Sequence, residues 1–245
     1  MLRRLLLGSL FAATVTAFAA DNPAVKPVPR DAGWMKRHES FVERAKKGNV
    51  DVLFVGDSIT QGWEGSGKAA WKQKFESWKP MNLGIGGDKT EHVLWRITEG
   101  KELEGIDPKV IVMMIGTNNT GRDTPEQIAE GIEAIVKEFK KQRPKAKILL
   151  LGVFPRSGKG GNTIPKEQSS VAGKDLHAKI PAINERIAKL DDGKTVKYLD
   201  IGKVFLDGNG DLPKSIMPDY LHLSPAGYEK WATAIENVVP EMMKK

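Results

Sequence analysis

Val52-Leu53-Phe54-Val55-Gly56-Asp57-Ser58 is the stretch on which the fold turns. Its four apolar residues do not alternate with polar ones, so the strand they predict is covered on both faces, and Gly-Asp-Ser ends it in a turn. Runs of the same kind recur at Met81–Ile85, Val110–Ile115, Ile148–Phe154 and Val196–Ile201. The segments between them carry a helical period, so the chain reads as an α/β domain with a mostly parallel sheet of five strands. The clearest helix starts at Thr124, Pro125 and Gln127, a capping-box start with proline at the first helical position. Ile128, Ile132, Ile135 and Phe139 follow at helical spacing, and Pro144 ends it. A last helix starts at Ser224-Pro225 and carries Tyr228, Trp231, Ile235, Val238 and Met242 on one stripe.

These elements occupy residues 34–245 with no internal repeat or break in composition, which predicts a single domain. Ahead of it, residues 21–33 contain Pro23, Pro27 and Pro29 among small and polar residues and read as an extended linker. Residues 1–20 place Arg3 and Arg4 before an apolar run and a small-residue site at Ala17-Phe18-Ala19, the pattern of an export signal peptide. The expected location is therefore the periplasm or the extracellular space. One long segment, Arg156 to Val171, has no clear period and is rich in glycine and lysine, and a loop of that length in a compact domain is often functional.

Apolar residues make up 40% of the chain and charged residues 28%, an ordinary globular balance. Loss of Arg3 and Arg4 with the signal takes the net charge from +7 to +5, spread without a basic block, which argues against a nucleic-acid partner. The chain has no cysteine, which excludes disulfides, thiolate metal sites, a cysteine nucleophile and a lipid-modified cysteine. Beyond the signal no apolar run approaches the ~18 residues of a membrane span, so no transmembrane segment is expected in the mature protein.

Ser58 stands where a buried strand meets a turn, at the edge of an α/β sheet where ligands bind. A serine hydroxyl needs a base within hydrogen-bond reach to become a nucleophile. Asp219 and His222 lie three apart just before the last helix, and on a helical turn the carboxylate would orient the imidazole. Two strand ends offer donors for an oxyanion: Asn82-Leu83-Gly84-Ile85-Gly86-Gly87-Asp88, where glycines let a backbone N–H approach a substrate, and Gly116-Thr117-Asn118-Asn119, where an amide can point into the cleft. Each piece alone has an ordinary structural reading: Ser58 as a helix N-cap, the glycines as turns, Asn118 as a turn former. His38, His92 and His177 read as structural hydrogen bonders. There is no Gly-x-Ser-x-Gly elbow and no His-Glu-x-x-His zinc motif, and no metal or organic cofactor is expected.

Taken in order, Gly56-Asp57-Ser58-Ile59, the glycine block ending in Gly87-Asp88, Gly116-Thr117-Asn118-Asn119 and Asp219-x-x-His222 resemble the four blocks of the GDSL esterases, or SGNH hydrolases. Within that superfamily the chain looks closest to the catalytic subunits of intracellular platelet-activating-factor acetylhydrolase, through Asp51–Ser58, Asn82–Arg96, Lys109–Asn119 and Gly131–Val136. The resemblance implies a three-layer α/β/α, flavodoxin-like fold and a homodimer. It makes Ser58 the nucleophile, His222 the base and Asp219 its orienting partner, with the Ser58 N–H, Gly87 N–H and Asn118 amide as the oxyanion hole. Ile59 replaces the leucine of the family's name, the Arg156–Val171 loop looks longer than its counterpart, and an export signal is absent from those intracellular relatives.

The expected function is a serine esterase acting on short-chain acyl esters, acetyl esters above all, of a carbohydrate or a small envelope-derived molecule. The alternatives are a lysophospholipase or thioesterase with the same triad, and a noncatalytic carbohydrate-binding protein. The strands and their covering helices leave no room for an apolar acyl groove, and the loop with Arg156, Lys159 and Lys166 offers a polar rim. Trp63 reads either as a stacking face for a sugar or as a buried packing residue.

Overall fold

A computed structural model of the protein describes residues 21–158 and 174–244. Residues 1–20, where an export signal is expected, and most of the expected loop, residues 159–171, lie outside the described residues. Five strands form one sheet: β1 (Val52–Gly56), β2 (Pro80–Gly84), β3 (Val110–Met114), β4 (Lys147–Leu151) and β5 (Val196–Leu199). Their order is β2-β1-β3-β4-β5, and every pairing is parallel. The apolar runs of the sequence outlast the ladder at its carboxyl edge. Val153 and Phe154 follow β4 and are buried, because the turns there are packed as well as the strands.

Eight helices are described: α1 (Ala32–Ala45), α2 (Ser58–Gln61), α3 (Lys68–Lys74), α4 (Thr90–Ile97), α5 (Pro125–Gln142), α6 (Lys179–Ile187), α7 (Pro225–Ile235) and α8 (Val238–Met243). Alternate strand side chains point to opposite faces, so the sheet makes two cores. Leu53, Val55, Ile111, Met113, Ile148 and Leu150 pack with α1, α4, α5 and α6. Val52, Phe54, Val110, Val112, Leu149 and Leu151 pack with α2, α3, α7 and α8. This is the three-layer α/β/α arrangement. The expected start of α5 is present: Thr124 Oγ1 accepts from the Gln127 N–H at 3.2 Å and Gln127 Oε1 from the Thr124 N–H at 3.0 Å. Its buried Ile128, Ile132, Ile135 and Phe139 each contribute roughly 1.5–3 kcal/mol by leaving water.

Two expectations need correction. Residues 21–33 are not a free linker. Asn22 Nδ2 donates to Gln127 O at 3.1 Å and to Glu130 Oε2 at 2.7 Å, Thr90 Oγ1 donates to Ala24 O at 2.8 Å, and Ala24 is fully buried. Pro23–Val25 form a single 3-10 turn capped by the Asn22 side chain, and the polar groups of the segment are satisfied on α4 and α5; proline content reports stiffness, not exposure to solvent. Asp31 then caps α1 by accepting from the Trp34 N–H at 3.1 Å, inside the expected linker. The last helix is also two helices. Pro240 has no N–H to offer the Glu236 carbonyl and its ring would strike it, so the chain breaks after Ile235 and restarts at Val238. Ile235, Val239 and Met242 remain buried across the break. Among the described residues no helix is long and apolar enough to cross a membrane.

The strand order reverses between β1 and β3. In open α/β sheets the crevice beyond the carboxyl ends at such a reversal is the usual place for a ligand.

Candidate active site

β1 runs into that crevice and hands over directly to α2. Asp57 is the N-cap: its Oδ1 accepts from the Ile59 N–H at 2.9 Å. A Cβ at Gly56 would collide with the Met114 carbonyl and the Thr60 hydroxyl, so only glycine lets the turn be this tight. Asp57 is wholly buried, and burial pushes its carboxyl up to about 7 despite the Ile59 hydrogen bond. Ser58 follows, half-buried, with its Oγ 2.9 Å from His222 Nε2. Asp219 Oδ2 lies 2.6 Å from His222 Nδ1, and Asp219 Oδ1 accepts from the His222 N–H at 2.7 Å and the Leu221 N–H at 3.0 Å.

The Asp219–His222 stretch is not a helical turn. Tyr220 has φ 58°, a left-handed conformation uncommon for an aromatic residue, and this folds the ring of His222 back onto Asp219. Beside the carboxylate, Nδ1 carries the proton and Nε2 is left to accept the one on Ser58. The hydrogen bond to Asp219 raises the His222 pKa above 6.5 against the opposing effect of burial. Burial alone would raise Asp219, but the hydrogen bonds from the His222 ring and backbone outweigh it and lower its pKa.

The other strand ends supply donors. Gly87 follows β2, exposed, with φ 77°, a conformation that favours glycine. Asn118 sits in the turn Thr117–Asn119 after β3 and donates its amide to Asp88 O at 2.9 Å, which leaves one amide hydrogen for a ligand. Neither the Ser58 N–H nor the Gly87 N–H has a hydrogen-bond acceptor among the described residues. All the site residues read from the sequence, Ser58, Gly87, Asn118, Asp219 and His222, thus lie on the carboxyl edge of the sheet. The arrangement can deprotonate a hydroxyl and offer N–H donors to an oxygen that gains negative charge.

Other residues were not singled out from the sequence. Gln61 Oε1 accepts from the Gly86 N–H at 2.7 Å, tying the glycine loop to α2. Arg30 donates to Gly86 O at 2.8 Å and to Asp88 Oδ1 at 3.1 Å. Asp88 is fully buried and also accepts from Trp34 Nε1 at 2.7 Å, with Arg96 Nε 3.1 Å from its other oxygen. No local pattern marks Gln61 or Arg30, since both act on backbone far away in sequence. Arg156, expected only as part of a polar rim, lies near Asp57, Asp219 and His222; burial lowers its pKa, partly offset by the two carboxylates.

Trp63 is 1% exposed and packs at tilted and edge-on angles among Phe54, Phe75, Tyr228 and Trp231, so it is a packing residue and no face for a sugar. The remaining histidines are structural. His38 bonds Glu102 and Gly100 O, His92 Nδ1 accepts from the Lys89 N–H at 3.0 Å, and His177 Nδ1 accepts from the Lys179 N–H at 3.3 Å. Burial pulls His92 down to about 4, which keeps it neutral for that role.

Fold and site together define a three-layer α/β protein with a serine, a histidine and an aspartate in series at its sheet edge. The sequence matches the model of the GDSL-like lipase/acylhydrolase family over residues 54–230, and the chain belongs to that family. It is 37% identical over 229 residues to the platelet-activating factor acetylhydrolase IB subunit alpha2 of Mus musculus, covering 91% of this chain and 93% of that one. It is 36% identical over 229 residues to the alpha1 subunit of Homo sapiens, covering 91% and 92%. Among solved structures, a GDSL-like lipase from Bacteroides thetaiotaomicron superposes with a TM-score of 0.61 at 19% identity, covering 85% of this chain and 96% of that one. A carbohydrate acetylesterase from Sinorhizobium meliloti superposes with a TM-score of 0.57 at 18% identity, covering 79% and 99%. At these identities the structures speak for the fold alone.

Proposed function

We propose that the protein hydrolyses short-chain acyl esters, acetyl esters above all, with Ser58 as nucleophile. The observation that carries this reading is the unbroken hydrogen-bonded series Ser58 Oγ, His222 Nε2, His222 Nδ1 and Asp219 Oδ2 beside the Ser58 and Gly87 N–H groups, which have no acceptor among the described residues. In this reading Ser58 Oγ attacks the ester carbonyl while His222 takes its proton. The carbonyl oxygen becomes an oxyanion held by the Ser58 N–H, the Gly87 N–H and the Asn118 amide. His222 then gives the proton to the leaving alcohol, and water repeats the sequence on the acyl-enzyme. Asp219 holds the imidazole tautomer and stabilises the imidazolium. None of these steps calls on a metal or an organic cofactor.

Support for acetyl specificity comes from the acetylhydrolase relatives, which are 36–37% identical to this chain. The cation of Arg156 beside the triad favours a leaving alcohol rich in hydroxyls or bearing an anionic group, such as a sugar. The test is kcat/KM for p-nitrophenyl esters from acetate to octanoate. Each added methylene is worth about 0.8 kcal/mol where a groove can bury it. Acetate should be the best substrate, and preference for octanoate replaces this reading with a lysophospholipase-like one. Export from the cytoplasm is proposed on the pattern of residues 1–20, with cell fractionation as its check.

A further inference from the structure

One peptide group links Gly86 to Gly87. Its carbonyl is Gly86 O and its N–H is Gly87 N–H, and because the group is planar, whatever holds the oxygen also aims the hydrogen. Gly86 O accepts from Arg30 Nη1 at 2.8 Å. Arg30 is the last residue of the N-terminal segment before the Asp31 cap of α1, and it lies 56 residues from the peptide it touches. A Cβ at Gly87 would come 3.2 Å from Arg30 Nη1 and from Nη2 and 3.5 Å from Cζ, so the guanidinium lies close against this residue as well as bonded to its neighbour.

The guanidinium is itself held. Arg30 Nη1 lies 3.1 Å from Asp88 Oδ1, which also accepts from Trp34 Nε1 at 2.7 Å. The Asp88 carbonyl accepts from Asn118 Nδ2 at 2.9 Å. Asp88 therefore joins both remote donors of the site, Asn118 directly and Gly87 through Arg30. Gln61 fixes the preceding peptide by accepting from the Gly86 N–H. With the Asp88 charge opposite it, Arg30 adds little net field to the crevice. Its remaining effects are orientation and polarisation: a charged donor on a peptide oxygen makes the N–H of the same peptide a stronger donor.

We propose that Arg30 is a positioning residue for the oxyanion hole, so that this one side chain of the N-terminal segment serves the catalytic site. This rests on the esterase reading above. An interaction that matters only as charge builds on the carbonyl oxygen lowers kcat and leaves KM alone.

The experiment compares wild type, Arg30→Ala, Arg30→Lys, Arg30→Gln, Asn22→Ala and Ser58→Ala on p-nitrophenyl acetate, with Ki for methylboronic acid, which adds to a serine oxygen as a tetrahedral anion. Arg30→Ala should lower kcat roughly 10- to 100-fold, below the 10²–10³ of losing a donor outright, with KM within about twofold. Ki should rise by the same factor as kcat/KM falls. Arg30→Lys and Arg30→Gln, which keep a donor for Gly86 O, should recover at least threefold of kcat over Arg30→Ala, and they carry the test if the alanine variant does not fold. Asn22→Ala releases the arm from α5 without touching the glycine peptide, and it should lower thermal stability while kcat stays within about twofold. Arg30→Ala with kcat within threefold of wild type, Arg30→Gln with kcat equal to wild type where the alanine variant does not fold, or a loss confined to KM overturns the proposal. If wild type shows no turnover, or Ser58→Ala equals it, the esterase reading fails instead.

Discussion

The two halves of the site are held by different physics. Ser58 and His222 belong to the aromatic side of the sheet, where Trp63 lies 4.6 Å from Tyr228 and 4.9 Å from Trp231 between ring centroids, and the Tyr228 hydroxyl donates to Ile59 O at 2.6 Å. Gly87 and Asn118 belong to the other side, where Asp88, Arg96 and Glu102 are buried together. There Arg96 Nη1 donates to both Glu102 oxygens at 2.9 Å and to Leu83 O at 2.8 Å, and Asn119 Nδ2 reaches Asp123 Oδ2 at 2.8 Å. A nucleophile needs its Cα in the right place, and ring packing can fix that. A backbone donor needs its peptide plane turned correctly, which demands hydrogen bonds to specific atoms and hence buried polar partners. The charged side accepts a desolvation cost on several paired groups, where on the aromatic side it falls on Asp57.

Four measurements press on this contrast. The largest effect is expected on the aromatic side: Ser58→Ala should lower kcat by roughly 10⁴-fold or more with the circular dichroism spectrum unchanged, since triad members act as a unit. Retention of a tenth of wild-type turnover would falsify Ser58 as nucleophile. On the charged side, Asn118→Ala should cost about 10²- to 10³-fold in kcat, because the Ser58 and Gly87 N–H donors remain. A loss as large as that of Ser58→Ala would mean the two halves are not separable in this way.

Stability offers the third comparison. Glu102→Ala leaves the Arg96 guanidinium buried with only one carboxylate, Asp88, near it, and should lower the unfolding free energy in urea by about 3–5 kcal/mol. A change below ~1 kcal/mol would remove the ionic side's claim to rest on paired charge.

The smallest effect is a shift of a pH limb. Only neutral imidazole accepts the serine proton, so kcat/KM should rise with pH through the His222 pKa, which the Asp219 hydrogen bond places above 6.5. Arg156 is a cation near that ring and lowers its pKa. Arg156→Ala should therefore raise the His222 pKa and move the acid limb to higher pH, leaving the plateau rate on acetate within a few-fold. A limb that moves to lower pH contradicts the placement of the Arg156 charge beside the triad.

Legibility in the sequence differed between the same two halves. The motif Gly56-Asp57-Ser58 was readable because strand end, cap and nucleophile are consecutive, and the start of α5 because its capping box spans Thr124 to Gln127. The break between α7 and α8 was missed although Pro240 was in view, because the apolar stripe continues in phase across it. The sequence leaves Trp63 between two roles, since five residues after a serine describes a distance along the chain and not the ring cage in which it is buried. The left-handed Tyr220 had no signal at all: neither glycine nor asparagine, it holds φ 58° only because the turn around it is packed.

By itself, the sequence determined the alternation of strands and helices and the identity of the groups at each strand end, because hydrophobic period, caps and turns act over a few residues. Tertiary structure alone decided how those groups are aimed. Arg30 meets Gly86, Asn118 meets Asp88 and Gln61 meets Gly86 across separations of 56, 30 and 25 residues, and no local pattern encodes such pairs. They exist because the strand order brings the ends of β1, β2 and β3 to one edge. There, buried peptide groups must find a partner wherever the fold supplies one.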